Sequence, residues 1–492
     1  MTKQLSLRLS TGSGSWLNYV VVSAAFVVIA LAFSAPTQRL ILLPTITAIV
    51  VYGAFTIALW RRVRAGLFGE IGFFFVTVAV AYTVMPAVTF LLVDLDFAKG
   101  WVWEKLSLLL PAIEELATHL WRHVLFIACT AASYLALRGH AVAAPPRMPP
   151  ALPGEGKLVG LAAALVLTAA TLVFLWSAPV VQYWDHYTRF EHLGWLELKA
   201  VQALLTLKTS AYFVLMAILF RRFHSYRLLA IAAVFAICAY ELSYSKGSRI
   251  ETLSIMLGAA CLYQFTVKSF TTKAVLLGLI AISALFSVVE VVRVLDLGGS
   301  GVTTALADEE IGPASEFGAV FFTGFHLYAD RANGGLPPTE WPMLINDLLA
   351  VLPFVDHEAW NPMYWYARHY FPEAIVPPAT MGPIAESAVW GGEIDLAIRG
   401  ALIGIFYAWV MKWFLKRRTE WWALAIYSYL FATCVMTLKY SVFYQLAPLV
   451  RILGPGLLLF WVAIRFFTPR GAQLMVSKPR QRRHTRRLTK SV

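Results

Sequence analysis

The segment Tyr244-Ser245-Lys246-Gly247-Ser248-Arg249-Ile250-Glu251 contains the parts of an anion site. Ser248 with Glu251 three residues on is a capping box, so a helix is expected to start here with its unpaired N–H groups and positive dipole end facing the segment. Lys246 and Arg249 add two formal charges to that end. A helix start, a backbone glycine and two cations favour a phosphate or pyrophosphate, and none of these parts needs a metal. The plainer reading is a capped helix whose cations meet lipid headgroup phosphates. Further cations sit in or beside apolar runs: Arg293 after Glu290, then Arg399, Lys439 and Arg451. Arg399 and Arg451 are flanked on both sides by apolar residues, where a guanidinium is costly and is expected to face a cavity or a partner. Structural ion pairs, such as Arg293 with Glu290, are the competing account of any one of them.

A second set of polar residues falls between Arg293 and about Asp395, a stretch far too long for a simple turn between helices. It mixes acids, aromatics and prolines, among them His326, Tyr328, Asp330, Arg331, Trp341, His357, Trp365, Tyr366 and His369. Such a composition can fold on a membrane surface and bind sugars; an interfacial aromatic belt explains the same Trp and Tyr content. The stretch Gln182 to Lys199 is polar and aromatic enough to line a site entrance, and 101–118 has the spacing of an interfacial helix. No GxSxG, HExxH, P-loop or paired CxxC motif occurs in the sequence, which counts against serine hydrolase, zincin, nucleotide-driven and zinc-site chemistry. No metal or other cofactor is expected.

The elements that must position these residues are set by hydropathy. Of 492 residues, 59% are hydrophobic and 14% charged, and the mean hydropathy is +0.67. That much apolar surface cannot hide inside one soluble core, so lipid is the expected solvent. The apolar runs are continuous and about twenty residues long, which selects helices over a barrel. Twelve spanning helices are expected near 16–34, 39–60, 68–94, 119–137, 158–180, 199–220, 226–244, 249–267, 274–292, 395–414, 420–437 and 446–467. The first is read as retained rather than cleaved. The expected organisation is a cytoplasmic start (1–15), nine helices (16–292), a large external loop (293–394), three helices (395–467) and a basic cytoplasmic tail (468–492).

Alternate connections carry the basic clusters, which together with the tail hold about 25 of the 41 Lys and Arg. The positive-inside rule therefore puts those connections and both termini in the cytoplasm. The formal charge of +13 is concentrated in the tail, whose expected partner is anionic lipid rather than nucleic acid. Cys129, Cys238, Cys261 and Cys434 all lie in apolar runs and read as small buried hydrophobes.

This arrangement resembles the Wzy-type oligosaccharide repeat-unit polymerases, integral membrane enzymes of O-antigen and capsule assembly. Lys246-Gly247-Ser248-Arg249 is similar to that family's small-residue-plus-arginine segment at the outer end of a helix, though isoleucine and glutamate follow Arg249 where a further small residue is usual. The long loop precedes the last three helices, as in the family. Pro377 to Glu386 (PPATMGPIAE), with Trp390-Gly391-Gly392 and the Arg399-Gly400 helix, is similar to its threonine-glycine-glutamate stretch and Gly-rich turn. The likeness covers roughly residues 240–410, about a third of the chain.

The resemblance implies a GT-C-like, metal-independent glycosyltransferase of the bacterial inner membrane. It would transfer a glycan from undecaprenyl pyrophosphate to a lipid-linked repeat unit on the periplasmic face, with a chain-length regulator as a further partner. The pyrophosphate-binding residues would be Arg249, Lys246, Ser248, Arg293, Arg399, Arg451 and Lys439. The acceptor hydroxyl would need a base, for which Glu386, His357, His326 and Asp330 are the candidates. An O-antigen ligase using the same lipid donor and a lipid-linked sugar transporter or flippase are the alternatives. The transporter calls for ionisable residues near the bilayer midplane, whereas here they gather at one face.

Overall fold

The computed structural model describes residues 36–63, 66–92, 113–140, 154–176, 192–244, 249–271, 273–275, 277–278, 313–351, 361–370, 380–442 and 444–467. The described residues form helices and turns, with no strand among them. Eight helices are long and apolar enough to cross a membrane, so the chain is a multi-pass helical membrane protein. They are α1 (Pro36–Val63), α2 (Ile71–Leu92, its apolar span running from Ile71 to Val88), α3 (Ile113–Arg138), α4 (Glu155–Trp176), α5 (Trp195–Arg221), α6 (Phe223–Tyr244), α11 (Glu393–Arg417) and α13 (Leu446–Phe467). Between them lie α7 (Arg249–Thr266), α8 (Pro313–Asn333), α9 (Pro362–Tyr370), α10 (Pro383–Val389) and α12 (Trp421–Thr433).

These eight match eight of the twelve expected spans. The expected spans at 16–34 and 274–292, the interfacial segment 101–112 and the tail lie wholly or mostly outside the described residues. The remaining two are helical but are not among the eight. α7 has 18 residues, as long as the apolar span of α2, but it falls short of the eight in apolarity. α12 has only 13 residues, about 20 Å of helix against a hydrocarbon core of about 30 Å. It breaks at Cys434 and Val435 and continues as a single turn, Met436–Lys439.

The break is stable because side chains take up the carbonyls it frees. Tyr407 of α11 donates to the Cys434 carbonyl at 3.3 Å and shares a 3.0 Å hydrogen bond with Thr437, while Gln445 Nε2 donates to the Leu430 carbonyl at 2.9 Å. Non-helical backbone is tolerated at such depth only where protein encloses it. Thr437, Lys439, Ser441 and Gln445 are all buried.

The expected large loop is likewise more than a surface feature. Its helix α8 is amphipathic and packs against α2 and α10, with Phe321, Phe325, Leu327 and Tyr328 buried. Phe90 of α2 meets Phe322 edge-on at 5.7 Å.

The most extensive helix contact joins α3 to α11. Gly400 and Gly404, one turn apart on α11, face α3 so closely that a Cβ on Gly400 would lie 2.8 Å from the Phe126 carbonyl. One on Gly404 would lie 2.3 Å from the Thr130 carbonyl and 2.1 Å from Ser133 Oγ. Lipid tails are as apolar as leucine, so helices in a bilayer associate through such close backbone packing rather than through hydrophobic burial. α11 carries Glu393 and Asp395 in its first turn and Lys416 and Arg417 in its last, complementing the helix dipole at both ends.

A Gly404→Leu substitution is expected to destabilise the purified protein in detergent by about 1–3 kcal/mol, the usual cost of overpacking. Gly53→Leu on α1, where an added Cβ meets open space, is expected to be neutral. Equal thermal unfolding of the two variants would show that α3 and α11 are not this close.

Candidate functional site

At the end of the bundle where α3 and α11 begin, the sequence-expected residues fall into two joined clusters. The first is centred on Arg399. Its guanidinium is buried between two carboxylates, bonding Glu386 through Nη1 and Asp395 through Nε at 2.5 Å. Glu386 reaches it because Pro383 starts the short helix α10 and the turn Trp390–Gly392 then folds α11 back alongside. Gly392 adopts φ +65°, a conformation that other residues rarely take. A buried carboxylate and guanidinium each need the other, because removing either leaves an uncompensated charge.

The second cluster is a set of polar contacts on α8 and α9. His326 Nδ1 and the Tyr366 hydroxyl lie 2.8 Å apart, His326 Nε2 faces Asp330 Oδ2 at 3.6 Å, and Tyr370 donates to the same Asp330 oxygen at 2.6 Å. The carboxylate accepts only, so the imidazole proton belongs on Nε2 and the phenol donates to Nδ1. His326 thus has one hydrogen bond, at Nδ1, and a longer polar contact at Nε2, and Asp330 is the solvent-side member of the cluster, its side chain one-quarter exposed. Burial lowers the His326 pKa below its ordinary value, opposed by the Asp330 carboxylate. Burial, with Asp330 nearby, raises the Tyr366 and Tyr370 phenols. Burial also pushes Tyr328 up to about 12.

α10 joins the two clusters. Tyr328 and Ser387 share a 2.8 Å hydrogen bond, and Arg331 Nη1 donates to the Ala388 carbonyl at 2.7 Å. Lys439 is buried in the turn that lies against the start of α10, where a Cβ on Gly382 would be 1.9 Å from the Leu438 carbonyl. Arg451 lies apart from both clusters, in a π-helical turn of α13 (Leu449–Leu453) packed on α5, where Ser210 donates to the Ile452 carbonyl. His357, Lys246, Ser248 and Arg293 lie outside the described residues. Arg249 is the first residue of α7.

Three features at this end were not legible as site residues. Arg122 of α3 donates through Nε to Glu393 at 2.8 Å and stacks its guanidinium over the Tyr328 ring at 3.9 Å. His119 Nε2 donates to the Phe321 carbonyl at 3.1 Å. His123 Nδ1 meets Thr83 at 3.2 Å, and its Nε2 finds no partner among the described residues. His123 borders a small apolar cavity with room for about one water, also lined by Tyr82, Val320, Ile384 and Leu438. The only advance signal was the i, i+4 spacing of the two histidines on one apolar helix. Among the described residues no three His, Cys, Asp or Glu side chains converge as a metal site would require.

The fold and these clusters define a multi-pass membrane protein with a polar, partly buried layer at one end. No family model, curated protein or solved structure matches the chain.

Arg399→Met alone is expected to cost about 3–5 kcal/mol, because it strands the buried Glu386. Arg399→Met combined with Glu386→Met is expected to recover most of that loss; a double variant no better than the sum of the singles would mean the two residues are not coupled. The His326 environment sets a pH dependence. Its folded-state pKa lies below the unfolded value of about 6.5, so the unfolded chain binds the proton first and stability falls as the pH drops below about 6.5. Thermal unfolding of His326→Gln between pH 7 and 5 should show a weaker acid sensitivity than wild type.

Proposed function

We propose that this protein is a membrane glycosyltransferase that polymerises undecaprenyl-pyrophosphate-linked oligosaccharide repeat units on the periplasmic face of the bacterial inner membrane. The observation that carries the reading is the coupling of Asp330, a partly exposed acid backed by buried His326, to the α10–α11 segment that resembles the polymerase family. An acid held at the surface of a multi-pass bundle is suited to a lipid-borne substrate whose reacting end projects into water.

In the proposed reaction the acceptor hydroxyl oxygen attacks the anomeric carbon of the donor as the bond from that carbon to the pyrophosphate oxygen breaks. The hydroxyl proton passes to Asp330 and the lipid pyrophosphate leaves with the bonding electron pair. Of the proposed bases among the described residues, Glu386 is bonded to Arg399 and His326 lies between Tyr366 and Asp330, so we assign the role to Asp330; His357 lies outside the described residues. The cations at the start of α7 stabilise the charge that develops on the leaving group more than they stabilise bound donor, which is what accelerates the step.

One observation bears on the transport alternative. Lys208 lies in the middle of α5, buried with Glu241 of α6, so the ionisable residues do not all gather at the surface. Yet Glu241 sits within one turn of the end of α6 and both helices run unbroken through this region. Transporter sites are typically built from discontinuous helices near the midplane, and the polymerase reading is retained.

Deleting the gene in its host should collapse the surface-polysaccharide ladder to single repeat units, and wild type should restore it. Asp330→Asn should slow elongation by about a hundredfold or more, the usual loss of a general base, while Glu114→Gln on the exposed first turn of α3 should elongate normally. Long chains in the deletion strain would sink the polymerase reading; long chains stranded on the lipid carrier would point to a ligase.

A further inference from the structure

At the end of the bundle away from Asp330, arginines outnumber the acids available to them. Arg221 closes α5, and Arg222 follows it before α6 begins at Phe223. Both guanidiniums bond one carboxylate, that of Glu155 at the start of α4, through Arg221 Nη1 at 2.6 Å and Arg222 Nε at 3.3 Å. Arg221 Nε also donates to the Thr419 carbonyl at 3.0 Å, which sets the α11–α12 turn, carrying Arg417 and Arg418, against the α5–α6 turn. Four arginines are thus brought to two adjoining turns. The acids of those segments are Glu155, already shared by two of them, and Glu420, which is exposed.

Part of that charge is not answered within the described residues. Arg222 Nη2 is enclosed and meets no acceptor among them; a buried donor left so is costly and calls for a ligand or a water. Burial works against the Arg418 charge, lowering its pKa below the ordinary value. Arg417 has no ion pair among the described residues; its guanidinium lies 6.0 Å from the ring centroids of both Trp413 and Trp422, which are 5.7 Å apart. Guanidiniums gathered in this way match the oxygens of a phosphate, to which each can give two parallel N–H bonds. Two features favour a phosphate carried on a lipid. Paired tryptophans beside a cation belong at headgroup level. α6, leaving the same turn, exposes Leu228, Ile231 and Phe235, spaced on one side of the helix, as a flank along which acyl chains can lie.

We propose that the α5–α6 and α11–α12 turns form a binding site for the phosphate of an anionic phospholipid, with Arg222, Arg417 and Arg418 as its cations. Arg221 holds the two turns together through Glu155 and Thr419 and is not itself a ligand. The site lies within the helical bundle, separate from the basic tail after Phe467, and it couples the packing of α4, α5, α11 and α12 to the anionic lipid content of the membrane. It stands or falls independently of the polymerase reading.

The test titrates phosphatidylglycerol into the full-length protein in uncharged detergent and reads occupancy by native mass spectrometry, with phosphatidylcholine and inorganic phosphate as separate arms. Arg222→Gln with Arg417→Gln removes two of the cations and leaves Glu155 paired with Arg221. A cation near a membrane surface contributes about fivefold to the binding of an anionic lipid, so the expected loss is about twentyfold or more. Lys268→Gln with Lys273→Gln, which takes the same charge from exposed residues beyond α7, is expected to bind like wild type. Equal affinity of all three proteins for phosphatidylglycerol overturns the proposal, as does a wild type that binds phosphatidylcholine equally well. Inorganic phosphate that protects the wild type against heat as much as phosphatidylglycerol does assigns the site to a free anion and overturns the lipid proposal. Should the double variant fail to fold, Arg417→Gln alone takes its place: binding weakened about fivefold supports the proposal and unchanged binding overturns it.

Discussion

The close approach of α3 and α11 at Gly400 and Gly404 is the constraint on which the rest of the molecule hangs. With glycines at the crossing, backbone packs against backbone, and the two helices are fixed in register along their length. Toward one end that register brings Arg122 to Glu393 and sets Arg399 where α10 can offer Glu386. In the other direction it places Tyr407 under the broken end of α12. A larger side chain at either glycine would pull Arg122 from Glu393 directly, and would shift Arg399 and Tyr407 relative to their partners because all of them ride on α11.

The two ends of the bundle use the same chemistry for different purposes. At the basic end, Glu70 is clasped by Arg138 and Tyr134, with the Glu70 and Arg138 side chains wholly enclosed. Glu155 there meets Arg221 and Arg222, and Arg221 also donates to the Thr419 carbonyl. These acids are saturated by their cations and lock helix ends to one another. At the opposite end the pairing is incomplete in a useful way: Asp395 and Asp330 keep about a fifth to a quarter of their side chains exposed. A carboxylate held by a protein partner on one side and open to water on the other is placed to accept a proton or a hydroxyl from outside, which a fully clasped one is not.

The spans were legible because about twenty consecutive apolar residues have few alternatives in lipid. The break in α12 was not legible for a physical reason: its hydropathy is that of a span, but the residues that bridge its break, Tyr407 and Gln445, act only once folded. α8 was hidden in the same way, since its moderate apolarity suits a surface helix until α2 and α10 are present to cover it. Arg399 among apolar neighbours reads as a cation in need of a partner, and that partner stands thirteen residues before it across a turn. Lys208 and Glu241 lie on different helices, and nothing in the spacing of either betrays the other. Single charges can be recognised from a sequence as costly, but the group that compensates each is a property of packing.

The pairing also divides labour among the cations. Arg399 is bonded to the carboxylates of both Glu386 and Asp395, so its charge is engaged within the protein. A phosphate there would have to displace two carboxylates from the guanidinium. Arg399 is thus better suited to fastening α10 onto α11, and with it the wall that carries Ser387 and Ala388 against α8, than to holding an anionic ligand. A site for pyrophosphate needs cations whose charge is not spent internally and N–H groups not used by a preceding turn. The proposed site draws its cations from the sequence at the start of α7, with Arg249 as its first residue and Lys246 three residues before it. On the proposed reading, acid chemistry and anion binding draw on separate parts of the chain, α8 with α9 for the one and the sequence joining α6 to α7 for the other. Such a division would keep the base from being neutralised by the cations that the leaving group requires.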